Sequence, residues 1–161
     1  MISRRNFIKK TGLGVSFMAI PPVFQNFTGE DFISKRPDVS QRKFVSVGVE
    51  AAIKNVKKSI ADKELAWIFE NCFPNTLDTT VNFYEKNGKP YTYVITGDID
   101  AMWLRDSSAQ GFPYLSLANQ DKALKNLLKG VINKQVEFVL LDPYANAFYD
   151  DPQKVSEWKN D

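Results

Sequence analysis

The chain contains no histidine and a single cysteine, Cys72. Those two absences exclude an internal disulfide, a Cys–His catalytic pair and the usual zinc or transition-metal centres, leaving only all-oxygen sites of the calcium or magnesium kind. Cys72, set among aromatic and polar neighbours, reads as a small buried hydrophobe. Charge is nearly balanced, 21 basic against 19 acidic residues for a net +2, and the basic residues are scattered. Nucleic acid demands a basic stripe or patch, so it is not an expected partner. An apolar run long enough to cross a bilayer is also missing, since residues 13–20 form a stretch too short to span one. Internal repeats and low-complexity tracts are absent as well. What is present is 43% hydrophobic and 25% charged residues, the composition of a chain that buries a core. Any chemistry it performs is expected to run on carboxylates.

Residues 1–22 are laid out like an export signal: SRRNFIKK at 3–10, the apolar stretch at 13–20, then Pro21 and Pro22. Paired arginines followed by a bulky apolar residue and a lysine resemble the twin-arginine signal of bacterial exported proteins. The alternative is a basic, frayed N-terminus with no addressing role. A working signal implies the Tat export machinery as a partner and a periplasmic or secreted location for a protein exported already folded. Residues 23–42, with Gln25, Asn26, Gly29, Pro37 and Ser40, are polar and irregular and read as a linker. The domain is expected to occupy residues 43–161.

Within it, Val49, Ile53, Val56 and Ile60 recur at helical spacing, opposite Lys54, Lys57 and Lys58. Asp62 is placed to cap a second helix that ends near Pro74. Asn75 and Asp78 then sit in a turn where such side chains commonly cap their own backbone. Residues 79–84 and 91–95 are β-branched and aromatic, and Asn87-Gly88 between them favours a tight hairpin turn. Residues 102–114 are helix-compatible up to Pro113. Asp121 opens a long helix through Leu124, Leu127, Leu128, Val131 and Val136 that stops at Asp142-Pro143, with Gly130 weakening it slightly. Phe69 and Phe138 are core by position. The expected fold is mainly α with one β-hairpin.

The densest chemistry lies at residues 97–110, where three acids, an arginine, a tryptophan and two serines follow a strand-like run. Carboxylates and arginine hold sugar hydroxyls, and tryptophan covers the apolar face of a pyranose ring, so the segment reads as the lip of a sugar site. Asp98 and Asp106 are the leading candidates for hydroxyl contacts, since a carboxylate accepts from two adjacent hydroxyls, with Arg105 donating to the same sugar or holding a carboxylate in place. A buried structural Asp–Arg pair is the competing reading. Trp103 is either the ring platform or plain core. Asp100, two positions after Asp98, is a weaker contact candidate.

Three blocks, CFPNTLDTTV at 72–81, ITGDIDAMWLRDSSAQ at 95–110 and DPYANAF at 142–148, in this order and spacing resemble the N-terminal part of glycoside hydrolase family 125. The resemblance implies an exo-acting, inverting α-1,6-mannosidase with an (α/α)6 barrel, or toroid, and no required metal or cofactor. Its substrate would be terminal mannose of mannan or N-glycans. It also favours sugar binding by Asp98, Arg105 and Asp106 as a group and implies that the catalytic acid and base fall beyond Asp161; Tyr144 and Asn146, which follow a helix end where loops carry function, are further contact candidates. Twelve helices of about 11 residues joined by about 5 need roughly 190 residues, more than 43–161 supplies, so a fragment or shortened gene is expected. A non-catalytic mannose-binding protein and a helical scaffold remain the alternative functions.

Overall fold

The computed structural model describes residues 32–97 and 99–155. The signal at 1–22, the first part of the expected linker, and Asp98 therefore lie outside the described residues. The chain divides between Phe32 and Ile33 into two units, and the second, running to Asp161, carries the architecture that follows.

Helix α1 (Val47–Ser59) starts where the Ser46 hydroxyl accepts from Val49 N, and α2 (Lys63–Cys72) starts where Asp62 accepts from Glu64 N and Leu65 N. After a wide helical turn at Thr76–Thr80, strands β1 (Val81–Lys86) and β2 (Lys89–Val94) pair antiparallel from Val81↔Val94 to Lys86↔Lys89. The two residues between them, Asn87 at φ 54° and Gly88 at φ 71°, take the left-handed conformations that a two-residue hairpin turn requires. Strand β3 (Met102–Trp103) leads directly into α3 (Leu104–Gly111) and a tighter helical stretch at Phe112–Leu117. Helix α4 (Lys122–Leu141) lies across β2, and β4 (Ala147–Phe148) returns to pair with β3. About half of the described residues are helical.

Asp121 joins the two longest helices. One carboxylate oxygen accepts from Leu124 N at 3.0 Å and caps α4; the other takes Ser46 Oγ at 2.7 Å and Gly48 N at 3.1 Å at the start of α1. Burial alone would raise the pKa of this carboxyl, but the hydrogen bonds outweigh it and hold the group below its ordinary value. Between the helices and the hairpin, Val49, Leu77, Tyr93, Met102, Leu124 and Leu127 are nearly inaccessible to water. Tyr114 is buried with them; its hydroxyl donates to Phe73 O, and burial pushes its pKa up to about 12.

Four expectations need correction. Residues 102–103 are not the first turn of a helix. Trp103 N donates to Thr96 Oγ1 at 3.1 Å, and the segment pairs as Met102↔Phe148 and Trp103↔Ala147, so helix begins only at Leu104. Asp78 does not cap its own turn: it is 3% exposed and receives Arg36 Nε at 2.7 Å. Residues 33–42 are not a free linker. Trp67 Nε1 donates to Ile33 O, Lys35 N donates to Asn71 Oδ1, and Arg36 and Arg42 reach Glu50 and Asp78. Cys72 is exposed because α2 turns it away from the core.

Helix α4 is apolar on two sides. One stripe, including Leu124, Leu127, Val131 and Phe138, faces the hairpin. The other, Ile132, Val136, Val139 and Leu140, follows i, i+4, i+7, i+8 spacing and is 45–82% exposed.

Candidate functional site

The loop between β2 and β3 is closed by short-range bonds. Thr96 N and Oγ1 both donate to Ala101 O, at 3.0 and 3.1 Å, and Ala101 N donates to Ile99 O at 2.7 Å. Thr96 Oγ1 also accepts from Trp103 N, so this threonine fixes the loop and the tryptophan together. Trp103 is half-buried and borders three open grooves. The first, about 480 Å³, also has Arg105, Asp106 and Gln110 on its wall. The second, about 550 Å³, is lined by Phe148, Tyr149, Pro152 and Lys154. The third, about 390 Å³, includes Arg105, Asp106 and Asn146.

Four of the expected site residues, Trp103, Arg105, Asp106 and Asn146, thus meet around one indole. Asp100 is not on the walls of these grooves: it is exposed, and its carboxylate receives Lys154 Nζ at 2.8 Å, with the ammonium also 4.5 Å above the Tyr149 ring. The Arg105–Asp106 contact is 3.4 Å, with side chains 90% and 44% exposed. An ion pair that open to solvent has little holding power, so both groups are available to a ligand. Trp103 likewise is not core. Among the described residues no group of three or more His, Cys, Asp or Glu side chains is placed to hold a metal.

Two polar residues of this region escaped the sequence reading. Gln110 is one helical turn beyond Asp106, and its Oε1 is buried without a hydrogen-bond partner. Gln135, on α4, donates through Nε2 to Leu104 O at 3.0 Å and lies 2.9 Å from both Ser107 Oγ and Ser108 Oγ, pinning the first turn of α3. The signal for Gln110 was its place at the end of the 95–110 block, but Gln135 had no local signal.

Comparison with known proteins gives a consistent picture. Residues 62–161 match the family model described as metal-independent alpha-mannosidase, glycoside hydrolase family 125. The chain is 49% identical over 115 residues to the meiotically up-regulated gene 157 protein of Schizosaccharomyces pombe, a match covering 71% of this chain and 23% of that protein. It is similar to a solved Streptococcus pneumoniae structure from a study of metal-independent alpha mannosidases, in a non-productive complex with α-1,6-mannobiose, at 40% identity and a TM-score of 0.61. That match covers 68% of this chain and 25% of the solved one. The chain therefore spans about a quarter of the length of these relatives.

Proposed function

This chain belongs to the metal-independent α-mannosidases of glycoside hydrolase family 125, and from that premise we propose that it forms the mannose-gripping wall of an exo-acting, inverting α-1,6-mannosidase. The observation that carries the reading is the convergence of Trp103, Arg105, Asp106 and Asn146 on adjoining grooves. The indole offers the apolar face that a pyranose ring stacks on, the Asp106 carboxylate accepts from neighbouring hydroxyls, and Arg105 donates from the opposite polarity. Inversion requires a carboxylic acid and a carboxylate about 6.5–9.5 Å apart on opposite faces of the sugar. We assign neither role to a residue of this chain. Its part is recognition, for terminal mannose of mannan or N-glycans.

The second apolar stripe of α4 supports placing the chain within a larger helical barrel, because a helix with apolar residues on both sides is normally packed on both. Calorimetry of the chain with α-1,6-mannobiose tests the sugar reading. Saturable binding is expected, weakened at least tenfold by Trp103→Ala and by Asp106→Asn, about 1.4 kcal/mol or more for each. No binding at millimolar mannobiose by the folded chain would sink it.

The proposal extends to location. The paired Arg4 and Arg5 ahead of Phe7, Ile8 and Lys9 support twin-arginine export to the periplasm or beyond. Replacing both arginines with lysine should leave the protein in the cytoplasmic fraction of a bacterial host. Unchanged export of that variant would exclude this route.

A further inference from the structure

Lys134 occupies a place where a cation is not expected. It lies on the α4 stripe that otherwise packs on the hairpin, three residues after Val131, and its side chain is only 4% exposed. A buried ammonium is tolerated only when it is paired and its donors are used. Here the nearest carboxylate is Asp150, 2.9 Å away, with Glu137 looser at 3.8 Å, and the ammonium lies 4.6 Å from the centre of the Phe138 ring and 5.9 Å from that of Tyr84. Asp150 is gripped from the hairpin as well, by Tyr84 OH at 3.2 Å and Asn82 Nδ2 at 3.3 Å. One carboxylate beyond β4 is thus held from both α4 and β1.

What that grip controls is β4. Phe148, two residues before Asp150, stacks on Phe138 at 4.5 Å, and its carbonyl accepts from Tyr93 OH at 3.2 Å. Through Met102↔Phe148 and Trp103↔Ala147, β4 in turn sets the backbone of β3 and so the placement of the Trp103 indole. A two-residue ladder is too short to be stable by itself and depends on what anchors it. Gln135, the next residue of α4, holds the other side of the grooves by pinning α3.

We propose that Lys134 is a positioning residue for the sugar site, acting through Asp150 and β4 on Trp103. It touches none of the three grooves that Trp103 borders. The inference rests on the reading of those grooves as a mannose site. Its test therefore has one readout with sugar and one without.

Three variants of the whole 161-residue chain, Lys134→Met, Asp150→Asn and the two combined, are compared with the parent for α-1,6-mannobiose affinity and for the indole N–H resonance of Trp103, assigned by Trp103→Phe. Each single variant should bind at least fivefold more weakly and shift that resonance, with helical circular dichroism retained. The double variant should lose no more than the worse single one, since both residues act along one path. Lys134→Arg should recover most of the affinity. Binding within twofold of the parent together with an unmoved indole resonance would overturn the proposal, as would fully additive losses. Should Lys134→Met not fold, Asp150→Asn carries the same comparison, because Asp150 is partly exposed and easier to replace. If the parent binds no mannobiose, the sugar reading fails on that result alone, and the positioning role is decided by the resonance.

Discussion

Arg36→Ala is expected to destabilise the chain by about 3–5 kcal/mol, the loss typical when one member of a buried ion pair is removed and its partner is left behind. Arg36 is 6% exposed on its side chain and works as a two-sided fork. Nε and Nη2 donate to the two oxygens of Asp78 at 2.7 and 3.1 Å, while Nη1 and Nη2 donate to Glu50 at 3.0 and 2.5 Å. Without it, Asp78, 3% exposed, keeps among the described residues only the ion pair with Arg42 Nε at 3.7 Å. Arg42→Ala should cost distinctly less, since Arg42 approaches Asp78 only loosely and meets Glu50 at an end that is 37% exposed. Urea unfolding of both variants checks the ranking, and an Arg36→Ala loss below about 1 kcal/mol would mean the network is not holding residues 33–42 to the domain.

The same network sets a pH dependence with a definite sign. The hydrogen bond from Arg36 is the main reason the Glu50 carboxyl is held below its ordinary value of 4.5; burial opposes it, and the charges of Arg36 and Arg42 add to it. A carboxyl depressed by folding contributes stability that is present above its unfolded pKa and is lost as pH falls through the folded one. Stability of the parent should therefore decline as pH drops below about 4.5, and the decline should be shallower in Arg36→Ala. Because Glu50 is more than a third exposed, solvent screening keeps this contribution well below the effect of losing Arg36 itself.

Neither Arg36 nor Asp78 could be paired from sequence, and the reason is distance along the chain. Features set by neighbours were legible: the Asp62 and Asp121 caps, the Asn87-Gly88 turn, the stop of α4 at Asp142, and the gathering of Trp103, Arg105 and Asp106 near the start of one helix. Features set by remote partners were not. Met102 and Trp103 look helical locally, and only their pairing with Ala147 and Phe148 makes them a strand. Asp100 was a weaker contact candidate by its spacing from Asp98, and its approach to Lys154, 54 positions away, had no local signal. Lys134 belongs with them: nothing local marks it as buried, and its place on the packed side of α4 gains meaning only once Asp150 is seen opposite. The site was thus legible as a group of residues, while the scaffold that aims them was not.

Gly130→Ala is expected to destabilise by about 1–3 kcal/mol, against the gain of about 1 kcal/mol that helix propensity alone would give for this exchange. The sequence reading of Gly130 as a mild weakness of α4 counts propensity alone, and packing against β2 opposes it. A Cβ there would stand 2.4 Å from Thr92 Oγ1 and 2.8 Å from both Thr92 N and Tyr91 C. Two of those three atoms are backbone of β2, which cannot swing aside, and Thr92 is fully buried with its hydroxyl committed to Leu127 O at 2.8 Å. The helix would have to lift from the strand. That movement has a second consequence, because Lys134 and Gln135 lie one turn further along α4 and hold the two sides of the Trp103 grooves. Gly130→Ala should therefore lower mannobiose affinity as well as the urea midpoint, even though residue 130 lines none of those grooves. A variant as stable as the parent would show that α4 does not sit so close on β2; a destabilised variant with parental affinity would show that its seating there does not govern the site.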